Sequence, residues 1–302
     1  MSVSGRVVVV TGGARGMGRE YVRGFLEEGA KVVATDMSWA PSGVSGDDFD
    51  FLEEIKNNPN VLAEVMDITI PSHITRVYNA AMEKFGTIDV IINNAGMRAR
   101  DIDPPAGQIT ILDTEVGDWQ KMFDTHIFGT LRVIKTFVQP MLEQKRGSII
   151  NICSNGINSN GASREGSYQP AKAAEQIMSI YLATELKPYN IAVNVVMPGV
   201  TRSTGSDEQQ AARAEMRARA GGAPAVGVAP GGGGVRMAPN APVPLALFLA
   251  EQDASGTTGQ MLSVGTWLQE HELGGREVWG WAPDLEAAKA AAAPEGGAGQ
   301  RA

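Results

Sequence analysis

No apolar run in this 302-residue chain is long enough to cross a bilayer, and the opening Met1-Ser2-Val3-Ser4-Gly5-Arg6 lacks a charged-then-apolar leader. A soluble, cytoplasmic protein with no membrane partner is expected. No block of lysines and arginines occurs and the formal net charge is -8, so the clustered basic face that nucleic-acid phosphates require is missing. The single cysteine, Cys153, excludes an internal disulfide and suits a reducing compartment. No histidine or other base is paired with it along the chain, so an inert buried thiol is expected rather than a nucleophile. No metal is expected. No long polar linker interrupts the first 200 residues, which favours one domain over 1–282, followed by an Ala/Glu/Gly tail over 283–302 with too little to bury to be ordered.

What the chain does have is a regular alternation of β-branched runs and helical patterns. Residues 6–11, Arg6 followed by Val7-Val8-Val9-Val10-Thr11, carry a continuous β-branched run of the kind found in a strand covered on both faces. Gly12-Gly13-Ala14-Arg15-Gly16-Met17-Gly18 follows directly, then a helical pattern closed by Gly29. Strand, glycine turn and helix in that order suit a phosphate-binding turn, because glycines let the backbone approach a pyrophosphate and the helix N-terminus offers free N–H groups and a positive dipole end. The absence of Lys-Ser or Lys-Thr after Gly18 tells against a nucleoside-triphosphate P-loop.

The second strand, 31–35, delivers Asp36 about 20 positions beyond the glycines, where a dinucleotide fold uses a carboxylate to hold ribose hydroxyls. Its charge would repel a 2′-phosphate, so NAD is favoured over NADP. Arg15 is the opposing hint, but the adjoining Met37 supplies no second cation. Strands at 61–66 and 88–92 follow, the first ending at Asp67 and Ile68 where adenine should lie, the second at Asn93-Asn94-Ala95-Gly96. A proline-bearing loop over 98–115 is longer than a plain connection needs and suits a pocket edge. One long helical stretch over 115–144 is expected to bend or end at Pro140. Further strands are expected at 148–152, 191–196 and 259–264, and a glycine-rich lid over about 200–240 follows the turn Met197-Pro198-Gly199. Trp267, Trp279 and Trp281 are expected to cover the pocket or a subunit contact.

The chemistry concentrates between the fifth and sixth strands. Tyr168 and Lys172 are four residues apart, so near the start of one helix their side chains share a face. A phenol has a pKa of about 10, and an ammonium beside it stabilises the phenolate and lowers that value. Tyr168 could then exchange a proton with an alcohol or a carbonyl. Ser154, at the carboxyl end of the fifth strand, would offer a hydroxyl to the same substrate oxygen.

Together these residues resemble the short-chain dehydrogenase/reductase family in its shorter single-domain branch. The resemblance covers about 4–265 and rests on Thr11-Gly12-x-x-x-Gly16-x-Gly18, Asp67, Asn93-Asn94-Ala95-Gly96, Ser154, Tyr168-x-x-x-Lys172 and Pro198-Gly199. It implies an α/β, Rossmann-like, doubly wound parallel sheet of about seven strands with helices on both faces, and a homotetramer or homodimer. By the same resemblance Ile68, Asn94 and Val200 line the cofactor, Ser203 or Thr204 sits by its carboxamide, and Lys172 also holds the nicotinamide ribose. One position departs: His126 stands where the family has an Asn in a water-mediated proton relay, so it is either a substitute relay or a satisfied core residue. The Gly265-Thr266-Trp267 ending also differs from the usual Gly-Gly.

The function expected is reversible hydride transfer between NAD and a secondary alcohol or its ketone, with Tyr168 as general acid/base, Lys172 favouring its phenolate and Ser154 polarising the substrate oxygen. The nearby aromatic and methionine content suits a bulky apolar or aromatic substrate. A non-catalytic NAD(P)-binding regulator is the alternative raised by His126 and the lid. A nucleotide-sugar epimerase or dehydratase shares the Tyr/Lys pair but is disfavoured by the glycine spacing and the lack of a sizeable carboxyl-terminal substrate domain.

Overall fold

Valine and isoleucine runs, stiff at χ1 and suited to a pleated surface, become the strands of one sheet. They are β1 (Val7–Thr11), β2 (Lys31–Asp36), β3 (Val61–Val65), β4 (Val90–Asn93), β5 (Gly147–Ile152), β6 (Ile191–Met197) and β7 (Met261–Ser263). The computed structural model describes residues 2–41, 43, 48–98, 111–158, 166–202 and 235–286. The seven strands run in the order β3-β2-β1-β4-β5-β6-β7, and every neighbouring pair is parallel. The direction of winding reverses between β1 and β4, which opens a crevice at their carboxyl ends.

The helices are α1 (Gly16–Glu27), α2 (Phe51–Ile55), α3 (Pro71–Phe85), α4 (Val116–Phe123), α5 (Thr130–Phe137), α6 (Gln139–Gln144), α7 (Tyr168–Leu186), α8 (Val243–Ala250), α9 (Val264–Glu270) and α10 (Arg276–Trp279). Alternate residues of each strand feed opposite cores. Val8 and Val10 pack beneath α1, α8 and α9, whereas Val7 and Val9 pack beneath α3, α5 and α6. Local chemistry sets the helix limits: Pro71 opens α3, where a missing N–H is harmless, and Gly86 at φ 75° closes it.

The stretch over 115–144 is not one helix bent at a proline. A π-helical turn, Asp124–Gly129, separates α4 from α5, and Pro140 stands in the first turn of α6. A π-turn inserts one residue, and an apolar pattern that already mixes spacings of three and four absorbs that shift without a visible break. The final strand is shorter than expected, because Val264, Trp267 and Leu268 recur at helical spacing and point into the core from α9. Trp267 is therefore a core residue, stacked on His271 with ring centroids 4.1 Å apart, and it does not cover the pocket.

The flanks of 203–234 are held side by side. Arg202 N donates to Met237 O at 2.8 Å and Met237 N to Val200 O at 2.9 Å. Ala238 N and Trp281 N add bonds to Trp279 O and Arg236 O, each at 2.7 Å, and the Trp281 ring lies 4.5 Å from the Arg202 guanidinium. Trp279 and Trp281 thus brace this neck. Ser203, Thr204, the body of the expected lid and residues 99–110 of the expected pocket-edge loop lie outside the described residues. The folded body runs on past 282, because Asp284 accepts from Arg236 Nε at 2.7 Å and Nη2 at 2.9 Å; the tail over 287–302 is outside the described residues. Among the described residues, no helix is long and apolar enough to cross a membrane.

Candidate active site

Thr11 ends β1 with its hydroxyl aimed at the next loop, where Oγ1 accepts from Asn94 N and Ala95 N, each at 3.0 Å. Asn94, just past β4, answers by donating Nδ2 to Thr11 O and Gly12 O, both at 3.0 Å. These bonds staple the two sides of the crevice. Gly12 has φ 69°, and a Cβ there would come 2.9 Å from Ala95 Cα; a Cβ on Gly18 would come 1.8 Å from Gly12 O. Only glycine lets the first turn of α1 sit this close to the loop behind it.

A cleft of about 660 Å³ opens on this turn. Of the residues expected to bind cofactor, Gly12, Arg15, Gly16, Met17, Gly18, Asp36, Met37, Asp67, Ile68, Asn94, Ala95 and Gly96 line it. Met66, Thr69, Met97 and Arg98 join them, as do Lys121, Asp124 and Thr125 from α4 and the π-turn, which sequence reading did not single out. The lining suits a dinucleotide. No side chain caps the N-terminus of α1 and no acidic residue stands in its first turn, so its positive end is open to an anion. At the carboxyl end of β2, Asp36 is held rigidly, accepting from Ala14 N at 3.1 Å and Ser38 N at 3.3 Å. Burial pushes its carboxyl above the ordinary Asp value, against the pull of those two amides and of Arg15.

A second set of residues gathers where β5 and β6 end and α7 begins. Tyr168 opens α7 and packs partly buried with Met97, Met122, Phe123 and Ala171. One turn on, Lys172 is buried, and its Nζ donates to Ile152 O at 2.7 Å and to Glu175 Oε2 at 2.8 Å. Burial works against charge on both partners. At Lys172 it is outweighed by Glu175 and then Tyr168, which raise the pKa; at Glu175 burial prevails over the pull of Lys172 and the pKa is also raised. The 2.8 Å contact, with a further Lys172 donor on a carbonyl, is that of an ion pair. Glu175 is legible as a partner in the sequence itself, since it falls three residues after Lys172 and seven after Tyr168, on the same helical face.

Ser154 follows β5, its Oγ accepting from Gly156 N at 3.1 Å. Beside it, Asn155 Oδ1 accepts from Gly199 N at 2.6 Å, which ties the Pro198-Gly199 turn and the exposed Val200 to the same sheet edge, outside the cleft lining. Cys153 is buried, and burial foremost raises its thiol pKa, so it stays a neutral thiol.

His126 is carried into this region by the π-turn. Its ring meets Tyr168 edge-on, with centroids 5.4 Å apart and planes at 80°. Nε2 lies 2.7 Å from Met97 O, a contact that needs the proton on Nε2, so Nδ1 presents a lone pair that is buried and meets no donor among the described residues. Burial and then Lys172 push its pKa well below the ordinary His value, against the bond to Met97. The imidazole is neutral.

The short chain dehydrogenase family profile matches residues 6–214. The chain is 37% identical over 287 residues to fluoren-9-ol dehydrogenase of Terrabacter sp. (strain DBF63), covering 92% of this chain and 75% of that protein. It is 35% identical over 209 residues to 3-alpha-(or 20-beta)-hydroxysteroid dehydrogenase of Mycobacterium tuberculosis (strain ATCC 25618 / H37Rv), covering 67% and 72% respectively. Levodione reductase shares the fold, with a TM-score of 0.71 and 23% identity over 86% of this chain and 96% of its own. With the family profile and these relatives over the sheet and cleft just described, the chain belongs to the short-chain dehydrogenase family and is an alcohol dehydrogenase or ketoreductase that uses a nicotinamide cofactor.

Proposed function

We propose that this protein interconverts a bulky secondary alcohol and its ketone with NAD, using Tyr168 as the general acid/base. The observation that carries this reading is the buried Lys172 ammonium one helical turn from Tyr168, beside a cleft whose glycine turn and Asp36 suit a dinucleotide. When bound, the nicotinamide accepts or returns the hydride. The chain does the rest. Gly12, Gly16 and Gly18 clear room for the pyrophosphate, Arg15 and Met17 flank it, and the free N-terminus of α1 meets its charge. Asp36 takes the adenosine ribose with Met37 beside it; Asp67 and Ile68 flank the adenine; Asn94, Ala95 and Gly96 form the floor. Pro198, Gly199 and Val200 close the nicotinamide end, and Lys172 holds its ribose.

In oxidation Tyr168 takes the hydroxyl proton as the carbinol C–H bond breaks, and in reduction it returns that proton to the carbonyl oxygen. Ser154 donates to the same oxygen and steadies its developing charge. The neutral His126, edge-on to Tyr168 with a buried Nδ1 lone pair that meets no donor among the described residues, is the group to which the proton passes onward.

The relatives support this substrate class, since their names specify a fluorenol and hydroxysteroids, all polycyclic secondary alcohols. NADH formation should be at least about tenfold faster, as kcat/KM, with fluoren-9-ol than with a short linear secondary alcohol, the worth of one or two buried methylenes. Equal rates would remove the polycyclic assignment. For the cofactor, kcat/KM with NAD should exceed that with NADP by about 100-fold, because a carboxylate facing a 2′-phosphate costs several kcal/mol. Asp36→Asn should shrink that ratio, and a wild-type preference for NADP would mean that Arg15 governs the choice. We further infer a single domain in a cytoplasmic homotetramer or homodimer. Ile177 and Tyr181 on α7 and Phe128 on the π-turn are 55%, 68% and 50% exposed, an apolar surface suited to a second copy; a monomer by light scattering would refute it.

A further inference from the structure

Resting on that reading of Tyr168 and Lys172, we propose that Glu175 is a built-in counter-ion, a positioning residue that aims the Lys172 ammonium and keeps Tyr168 protonated to higher pH than an unpaired lysine would allow. The pair is closed off from water: Nζ and Oε2 are 2.8 Å apart, with side-chain exposures of 5% for Lys172 and 1% for Glu175. An ammonium has three donors. Glu175 occupies one and Ile152 O a second, at 2.7 Å, which leaves a single N–H for the phenol or the cofactor ribose.

The turn of α7 that carries Glu175 is anchored to the middle of the sheet. Its carbonyl accepts from Ser179 Oγ, Ser179 Oγ from Asn151 Nδ2, and Asn151 Oδ1 from Asn93 Nδ2, each at 2.7 Å. Glu175 therefore holds a fixed place from which to act on charge.

The titratable groups that act on Lys172 come from three described elements. Its own helix supplies Tyr168 and Glu175, the end of β5 supplies Cys153, and the π-turn supplies His126. Burial keeps the Cys153 thiol and the His126 imidazole uncharged. Among the described residues, Glu175 is thus the formal negative charge set directly against the ammonium. A lone ammonium acts on a neighbouring phenol as a full positive charge, whereas an ion pair acts as a dipole whose field falls faster with distance. The pairing therefore weakens the stabilisation of a Tyr168 phenolate. Oxidation consumes the phenolate and reduction consumes the phenol, so Glu175 displaces the oxidative range to higher pH and widens the reductive one.

A carboxylate present only to neutralise a buried lysine would also destabilise the fold when replaced, so stability does not separate the two roles. The pH profile does. In Glu175→Gln, which keeps the size and an acceptor oxygen, the acid limb of kcat/KM for alcohol oxidation at saturating NAD should move about one unit to lower pH. A limb that stays in place or moves upward overturns the proposal. Should the variant not fold, the tyrosinate absorbance of the wild type minus that of Tyr168→Phe tests the same point: no tyrosinate difference is expected at about pH 7, and its presence there overturns the proposal. Ordinary turnover by Tyr168→Phe would instead remove the acid/base reading beneath it, and an inactive Tyr168→Phe with an unmoved Glu175→Gln limb would remove this inference alone.

Discussion

Tyr168→Phe should lower kcat for alcohol oxidation by about 10³- to 10⁴-fold, the upper range for removing a positioned general acid/base. The change deletes one oxygen. The ring keeps its packing against Met97, Met122, Phe123 and Ala171, so the thermal midpoint should move little. NADH affinity should fall by no more than about fivefold, the worth of one hydrogen bond at about 1 kcal/mol. Stopped-flow turnover together with NADH fluorescence titration separates the two effects. Loss of binding in parallel with turnover would make Tyr168 a cofactor ligand rather than the proton-transfer group, and a fully active variant would bring back the non-catalytic regulator.

The second large effect is expected from Gly18→Ala. The added Cβ would lie 1.8 Å from Gly12 O, and neither partner in that clash is a flexible side chain. Gly12 cannot retreat easily, because its carbonyl accepts from Asn94 Nδ2 and its own Cα side faces Ala95 Cα. The first turn of α1 must lift off the glycine turn, taking its free N–H groups away from the cleft. We expect a stability loss of about 2–4 kcal/mol in a denaturant melt and roughly 100-fold weaker NADH binding. Gly117→Ala is the control. Nothing lies within 4 Å of a Cβ at Gly117 in α4, so this substitution should be neutral or stabilise the helix by about 0.5–1 kcal/mol. A Gly18→Ala protein that melts with the wild type and binds NADH as well would mean that the close approach is not needed.

Sequence reading reached the strands and the glycine turn because each is local. A β-branched run, a glycine that must take positive φ and a proline at a helix start all act within a few residues. The Tyr168 and Lys172 spacing is local in the same sense, since one helical turn puts both side chains on one face. His126 shows where such reading stops. Its identity is plain in the sequence, but its contact with Tyr168 depends on a π-turn over Asp124–Gly129 and on the approach of α7 from more than thirty residues away. Trp267 shows the same limit, because whether an indole covers a pocket or fills a core depends on what the rest of the chain packs against it.

The linear order of residues by itself determined the alternation of strands and helices, the glycine turn at Gly12, Gly16 and Gly18, the acidic strand end at Asp36 and the one-turn spacing of Tyr168 and Lys172. Tertiary structure alone decided that Lys172 is sealed in with Glu175, that His126 is neutral and edge-on to Tyr168, and that Asn94 staples β4 to the glycine turn. The division has one physical cause. Backbone preference is settled between near neighbours in the chain, whereas the effect of a charge depends on how much water remains around it and on partners delivered from distant elements.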